Sequence, residues 1–185
     1  TGRTIPVRRP HADKEVRIMV RAIVIPHDAG KPVRIQEPPD IGDFQEPVDG
    51  WIEPKEIHQL EATLYVNASA YKRRLPFNSR ASALWLFHNP GLSVEPAILG
   101  DAVMTGSGSG WDPSTDVSYK LEQLLTGEVE FIVQCKVDEE PWRNTLVRFD
   151  NFFDIAIWCI LYNHFLWTGP QFRICLLYTS DAADE

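Results

Sequence analysis

Residues 152–167, Phe-Phe-Asp-Ile-Ala-Ile-Trp-Cys-Ile-Leu-Tyr-Asn-His-Phe-Leu-Trp, are the most apolar stretch of the chain. A membrane span needs about 20 apolar residues. This stretch is shorter and is interrupted by Asp154, Asn163 and His164. It therefore has to bury its side chains against other parts of the protein, and the pattern predicts a core helix over 150–165. Residues 128–137 supply a surface for it. There Val129, Phe131, Val133, Cys135 and Val137 alternate with polar residues, the period-two pattern of a strand with one buried face. A helix covering a sheet defines the fold class as α+β, with a mixed, mostly antiparallel sheet and two or three packed helices.

Other segments fit that frame. Residues 20–25 are β-branched and end at Pro26, so they read as a strand. Residues 27–31 carry turn chemistry, and 32–37 return as the second arm of a hairpin. Residues 41–48 suggest a short helix compromised by Pro47. A strand is expected over 62–68, with Leu64 and Val66 on one face and Tyr65 on the other. A helix follows over 79–88, capped by Asn78 or Ser79. Another strand is expected over 98–105, with Gly100 at a bulge. Residues 106–115 read as a flexible loop. Residues 116–125 have helical spacing of Val117, Leu121, Leu124 and Leu125, with Asp116 as the cap. A last strand begins at 171–174.

The two ends read differently from the middle. Residues 175–185, Cys-Leu-Leu-Tyr-Thr-Ser-Asp-Ala-Ala-Asp-Glu, resemble the in-frame translation of a sequencing adapter, which is set aside in fold reasoning. Upstream, Lys14-Glu15-Val16 is encodable by a ribosome-binding sequence just before Met19. Residues 1–18 thus read as upstream sequence carried through in frame, or as a disordered basic arm. The expected organisation is 19–105 as the main α+β body, 106–127 as loop and short helix, and 128–174 as a strand–helix–strand extension of the same domain. The net charge of −8 does not depend on the ends, because the basic arm and the acidic tail cancel. An acidic chain argues against a general nucleic-acid-binding surface. Three Cys are too few for a disulfide scaffold and fit a reducing, cytoplasmic setting.

Signatures of chemistry are absent. Gly106-Ser-Gly-Ser-Gly110 lacks the Gly-Lys-Ser/Thr ending of a phosphate loop and the spacing of a dinucleotide fingerprint. The five His stand in no metal-like spacing with Cys or with one another. Cys135 and Cys159 read as core residues. No cofactor or metal ligand set is expected. Lys72-Arg73-Arg74, with Tyr71 and Arg80 nearby, could meet phosphate, but a short charge run is ordinarily a solvated loop. Asp138-Glu139-Glu140 is an acidic turn. Glu37, Asp40, Asp43, Glu46, Asp49, Glu53 and Glu56 make the longest one-sign stretch. They could imitate DNA phosphates or serve simply as a soluble face.

Five short motifs carry a family resemblance. They are Ala22-Ile-Val-Ile-Pro26, Gly50-Trp51-Ile52-Glu53, Leu64-Tyr65-Val66-Asn67, Leu75-Pro76-Phe77-Asn78-Ser79-Arg80 and Ile98-Leu99-Gly100-Asp101-Ala102-Val103. Residues 21–106 resemble the domain of unknown function 3846 family, found in bacteriophages, plasmids and other mobile elements and without an established activity. Residues 128–174 look like the C-terminal extension of its actinobacterial-phage members. The resemblance implies a cytoplasmic accessory protein, and with no catalytic signature present the reading is a non-enzymatic module that binds a host or phage protein. Two other classes stay open: a nucleic-acid-linked role, as an acidic mimic or through Lys72–Arg74, and an enzyme with an unrecognised site. The candidate surface is Asn67, Lys72, Arg73, Arg74, Asn78 and Arg80. Asn67 can close an Asx turn at its strand end, Asn78 can cap the helix, and Arg80 lies in that helix's first turn. No membrane contact is expected, and the oligomeric state is not readable.

Overall fold

The computed structural model describes residues 20–37, 44–89, 97–109, 112–165 and 170–177. The arm 1–18 and most of the tail 175–185 lie outside the described residues, as do 41–43 of the segment read as a helix.

Strand β1 (Ala22–Ile25) is buried at all four residues. The turn after it returns as β2 (Arg34–Gln36), with Ile23 opposite Ile35. Asp28 builds that turn: its Oδ1 accepts from the Gly30 N–H at 2.9 Å and its carbonyl from the Lys31 N–H at 3.0 Å. β3 (Ile52–Ile57), β4 (Ala62–Asn67), β5 (Ala102–Ser109) and β6 (Asp112–Thr115) complete a sheet in the order β2-β1-β5-β4-β3, with β6 on the distal half of β5. A second sheet has the order β8-β7-β9, from β7 (Glu130–Lys136), β8 (Arg143–Phe149) and β9 (Gln171–Leu177). Every pairing is antiparallel.

Among the described residues four α-helices join the sheets: α1 (Ala70–Arg73), α2 (Ser79–His88), α3 (Tyr119–Thr126) and α4 (Phe152–Phe165). α4 begins where the Asn151 side chain accepts from the Asp154 N–H at 2.9 Å, an N-cap bond. It packs against α2 and against all three strands of the second sheet. The main core combines Ile23, Leu64, Val66 and Met104 of the first sheet with Leu84 of α2, Leu121 of α3, Ile155 and Cys159 of α4, and Phe131 and Val133 of β7. The opposite face of the first sheet presents Ala22, Val24, Tyr65 and Val103, closed over by Phe44 and Val48. Leu64 and Val66 thus face one way and Tyr65 the other, as the alternation predicts. The α+β class stands, with the strands divided over two antiparallel sheets rather than one. Among the described residues no helix is long and apolar enough to cross a membrane.

Several local expectations are corrected. Over 44–48 there is no α-helix: a 3-10 turn starts at Phe44, and the Val48, Asp49 and Gly50 N–H groups bond back to Phe44, Glu46 and Gln45. Pro47 has no N–H to extend a ladder. Gly100 is not a strand bulge but a left-handed turn residue (φ 79°), and a side chain there would meet Leu75 Cδ1 at 2.8 Å. The strand therefore starts at Ala102. Residues 106–109 are not a loop but the second half of β5, paired to β6; 110–111 lie outside the described residues. The cap of α3 is Ser118, whose side chain accepts from the Leu121 N–H at 3.2 Å. Asp116 instead accepts from the Arg21 N–H at 2.8 Å. On β7, Phe131 and Val133 join the core, Cys135 is half-buried and Val137 is exposed. β9 runs through Cys175, Leu176 and Leu177, opposite Ile132, Phe131 and Glu130.

Candidate functional site

The six residues singled out in the sequence fall on one connected rim, but they do different work there. Asn67 ends β4 with its side chain buried. Its Oδ1 accepts from the Ser69 N–H at 2.8 Å, which is the Asx turn, and its Nδ2 donates to the Val48 and Asp49 carbonyls at 3.0 and 2.7 Å. Asn78 is fully buried at the N-cap of α2, accepting from the Ala81 N–H at 2.9 Å. Its Nδ2 donates to the Ile25 and Gly100 carbonyls, both at 2.9 Å, so one amide ties α2 to the ends of β1 and β5.

Arg80 is likewise committed inward. Its guanidinium donates to the carbonyls of Pro26, Asp28 and Lys31 at 2.7, 2.8 and 2.9 Å, clamping the β1–β2 turn. Burial lowers its pKa, opposed by the nearby Asp28 and Asp101 carboxylates. Arg73 donates to the Asp49 carbonyl and pairs with the Asp49 carboxylate at 2.5 Å. Gly50 makes this approach possible: a side chain there would sit 2.8 Å from Asn67 Nδ2 and 3.2 Å from Arg73 Nη1, and its φ is 145°. Arg74, in the left-handed conformation, ends α1 by donating its N–H to the Ala70 and Tyr71 carbonyls. The side chains of Lys72 and Arg74 face solvent.

The rim also gathers two aromatics beyond those six residues. The Trp51 carbonyl accepts from the Ala68 N–H at 2.8 Å, which seats Trp51 beside the Asn67 turn, yet its side chain is 76% exposed. Tyr71 is exposed too and donates its hydroxyl to the Ala97 carbonyl. Loss of solvent raises the pKa of that phenol, with Lys55 pulling the other way. The arrangement is a rigid frame of buried amides presenting Trp51, Tyr71, Lys72 and Arg74 outward. Residues 20–129 match the model of a family described as a domain of unknown function (DUF3846). The chain belongs to that family. The DUF3846 segment takes in the first sheet and α1 to α3 and stops short of β7, so α4 and the second sheet lie beyond it. No curated protein and no solved structure matches the chain.

Inside the DUF3846 segment the structure also reveals a pair that spacing alone could not show. His27 Nδ1 lies 2.5 Å from Asp101 Oδ1, and the same oxygen accepts the His27 backbone N–H at 2.9 Å. Both bonds tie the β1–β2 turn to the start of β5. The two residues stand 74 positions apart, and nothing in the sequence joined His27, read in a turn, to Asp101, read in the strand expected over 98–105. Among the described residues no group of three or more His, Cys, Asp or Glu is placed to hold a metal ion. Of the acidic stretch, Asp40 and Asp43 lie outside the described residues, and three of the others stand beside cationic or imidazole side chains. Asp49 pairs with Arg73, Glu53 stands 3.3 Å from Lys55, and Glu56 stands 3.7 Å from His58.

His88, at the end of α2, stacks on Phe152 at 6.0 Å and meets Phe87 edge-on at 5.1 Å, and its buried Nε2 has no hydrogen-bond partner among the described residues. Burial depresses its pKa to about 4. The folded state thus holds a neutral ring where the unfolded chain, near pH 6.5, takes up a proton. Stability from this group is fully present above about pH 6.5 and is lost as the pH falls toward 4, by on the order of 1–2 kcal/mol once solvent access to the half-buried ring is allowed for. We expect His88→Phe to flatten that acid limb in urea titrations between pH 7 and 4. An unchanged slope would remove His88 as its source. Cys159, buried in α4, has its thiol pushed up to about 12 by burial, which makes it a core residue and not a nucleophile.

Proposed function

We propose that the protein is a non-enzymatic protein-binding module, a cytoplasmic accessory protein of a bacteriophage or other mobile element, whose docking face is Trp51 with the 67–74 turn. The observation that carries the reading is the exposure of Trp51 on a frame that cannot easily move. Indole, phenol and guanidinium side chains are the ones that dominate binding energy at protein interfaces. Here the Trp51 carbonyl accepts from the Ala68 N–H, the Tyr71 hydroxyl donates to the Ala97 carbonyl and the Arg74 N–H closes α1, next to a turn that Asn67 bonds to the Val48 and Asp49 carbonyls. Such preorganisation lowers the ordering cost of association. Lys72 and Arg74 are a local cationic patch on a chain of net charge −8, which favours a partner segment that is acidic at that spot. The mobile-element setting is what the family resemblance implies.

A nucleic-acid role is weakened by the same geometry. Two of the cations read toward phosphate are already engaged, Arg73 with Asp49 and Arg80 with the carbonyls of the β1–β2 turn, which leaves Lys72 and Arg74 alone for that role. The test is capture from phage-infected cells with wild type and with a Trp51→Ser/Arg74→Glu double variant, followed by titration of the identified protein in purified form. The expected result is saturable binding that the double variant weakens by about tenfold or more. Equal binding by the variant, or a gel shift of DNA or RNA at micromolar protein, would overturn the reading.

A further inference from the structure

A cavity of about 110 Å³ opens beside Tyr71, between the end of β4, α1 and residues 97–99. Val66, Ala70 and Ile98, all buried, form its floor, and the exposed Glu53 and Tyr71 stand at its mouth. Trp51 belongs to the same mouth. Its carbonyl accepts from the Ala68 N–H, which carries the β3–β4 ladder one step past Ile52. Trp51 and Glu53 are two residues apart on extended chain and so leave it on one side, while Ile52 between them packs toward Phe44 and Tyr65 on the other. The walls are fixed by hydrogen bonds. The Tyr71 hydroxyl donates to the Ala97 carbonyl and joins α1 to residues 97–99. The Ile98 N–H donates to Ser82 Oγ at 2.9 Å and joins the same residues to α2. Protein interiors ordinarily leave few voids larger than a water molecule. A larger one, held open at the rim of a docking face, is shaped to receive a side chain.

Size and charge select the occupant. An apolar cavity of about 150 Å³ takes a benzene ring. The smaller volume here suits a branched aliphatic side chain, leucine or isoleucine, and is too small for an indole. Lys55 lines the wall, but its ammonium stands 3.3 Å from the Glu53 carboxylate and 5.2 Å over the Trp85 ring. Inside the cavity the charges of Lys55 and Glu53 therefore cancel, and a charged head entering it would lose its water without gaining a counter-ion. Outside, the chain continues from Tyr71 to Lys72 and Arg74, whose side chains face solvent. Two cations on the rim of a neutral socket favour a carboxylate next to the inserted group. Together the two requirements describe one kind of partner: a short linear segment with an aliphatic anchor and an acidic neighbour.

We propose that this cavity is the anchor socket of the docking face: a leucine or isoleucine of the partner enters it over Val66 and Ile98, and an adjacent Asp or Glu meets Lys72 and Arg74. The proposal rests on the protein-binding reading and names the partner's chemistry. A random-peptide phage library selected on the immobilised full chain supplies the probe. The enriched sequences should share a leucine or isoleucine next to an acidic residue. A synthetic peptide of that sequence should lose about tenfold or more in affinity when its aliphatic residue is replaced by alanine. Ala70→Leu, which fills the socket from its floor, should weaken the same peptide about tenfold or more while leaving the far-UV circular dichroism spectrum unchanged. Should Ala70→Leu fail to fold, the alanine peptide still decides, since it leaves the protein untouched. Absence of an enriched aliphatic–acidic sequence, or a peptide that binds equally well without its aliphatic residue, would overturn the socket. The docking face is judged separately: a partner captured from infected cells that Trp51→Ser/Arg74→Glu weakens and Ala70→Leu does not would keep the face and remove the socket.

Discussion

Replacing Asn78 with alanine is expected to cost the protein about 4 kcal/mol, the largest effect of any single polar side chain on the candidate rim. Three bonds are lost at a site with no solvent to replace them: the cap bond from the Ala81 N–H, and the donations to the Ile25 and Gly100 carbonyls. A lost cap costs about 1 kcal/mol. A buried group left without its partner costs about 1–3 kcal/mol, and two carbonyls are exposed to that penalty. Against a total stability of about 5–15 kcal/mol, this brings the fold close to failure. For a chain of this length it corresponds to a melting temperature lower by about 10 °C. The choice of variant separates the two roles. Asn78→Asp keeps the capping oxygen and would be harmless if capping were all that mattered. Because its second oxygen would face two carbonyl oxygens, we expect it to be at least as destabilising as alanine. Urea unfolding of both variants decides, and a wild-type midpoint for Asn78→Asp would contradict the bridging role.

The same residue shows what could be read from sequence and what could not. An Asn just before a helical stretch is an N-cap by local chemistry alone, and Asn67 at a strand end is an Asx turn for the same reason. Both roles involve neighbours within three positions. The other halves of those amides reach Ile25, Gly100, Val48 and Asp49, and nothing local announces them. Arg80 followed the same division: its place in the first turn of α2 was legible, while its three carbonyl partners, about fifty positions away, were not. The His27–Asp101 pair was wholly of the second kind. Periodicity served well where a face was uniformly apolar, as in β4, β7 and α4. It failed at β3 and β8, whose exposed and half-buried residues at sheet edges give a weak alternation that Pro54 and the arginines obscure. Exposure itself has no sequence signature, so Trp51 was noticed as part of a motif but not as a surface.

Gly106 carries the second large expected effect, and here the sign of the change is the test. Read as part of a flexible Gly-Ser loop, the position should welcome a side chain: replacing glycine would restrict the unfolded chain and stabilise by about 0.4–1 kcal/mol. The structure places it instead inside β5, with Ala62 opposite on β4 and Thr115 opposite on β6. A Cβ there would lie 2.4 Å from the Asp116 carbonyl oxygen and 2.5 Å from Thr115 Oγ1. The nearer of these is backbone, so the chain at 115–117 has to move as a unit. That segment holds the N-terminal end of β1 in place, since Asp116 accepts from the Arg21 N–H and the Val117 N–H donates to the Arg21 carbonyl at 2.9 Å. Val117 itself belongs to the main core. Overpacking of this kind costs about 1–3 kcal/mol, and the branched side chain of valine should reach the upper end. We therefore expect Gly106→Val to destabilise by about 3 kcal/mol and Gly106→Ala by less, because alanine regains part of the entropy that glycine gives up. Hydrogen exchange should localise the damage, with the Arg21 and Val117 amides losing protection while those of the β7–β9 sheet keep theirs. A stabilised Gly106→Ala variant would return the segment to a loop.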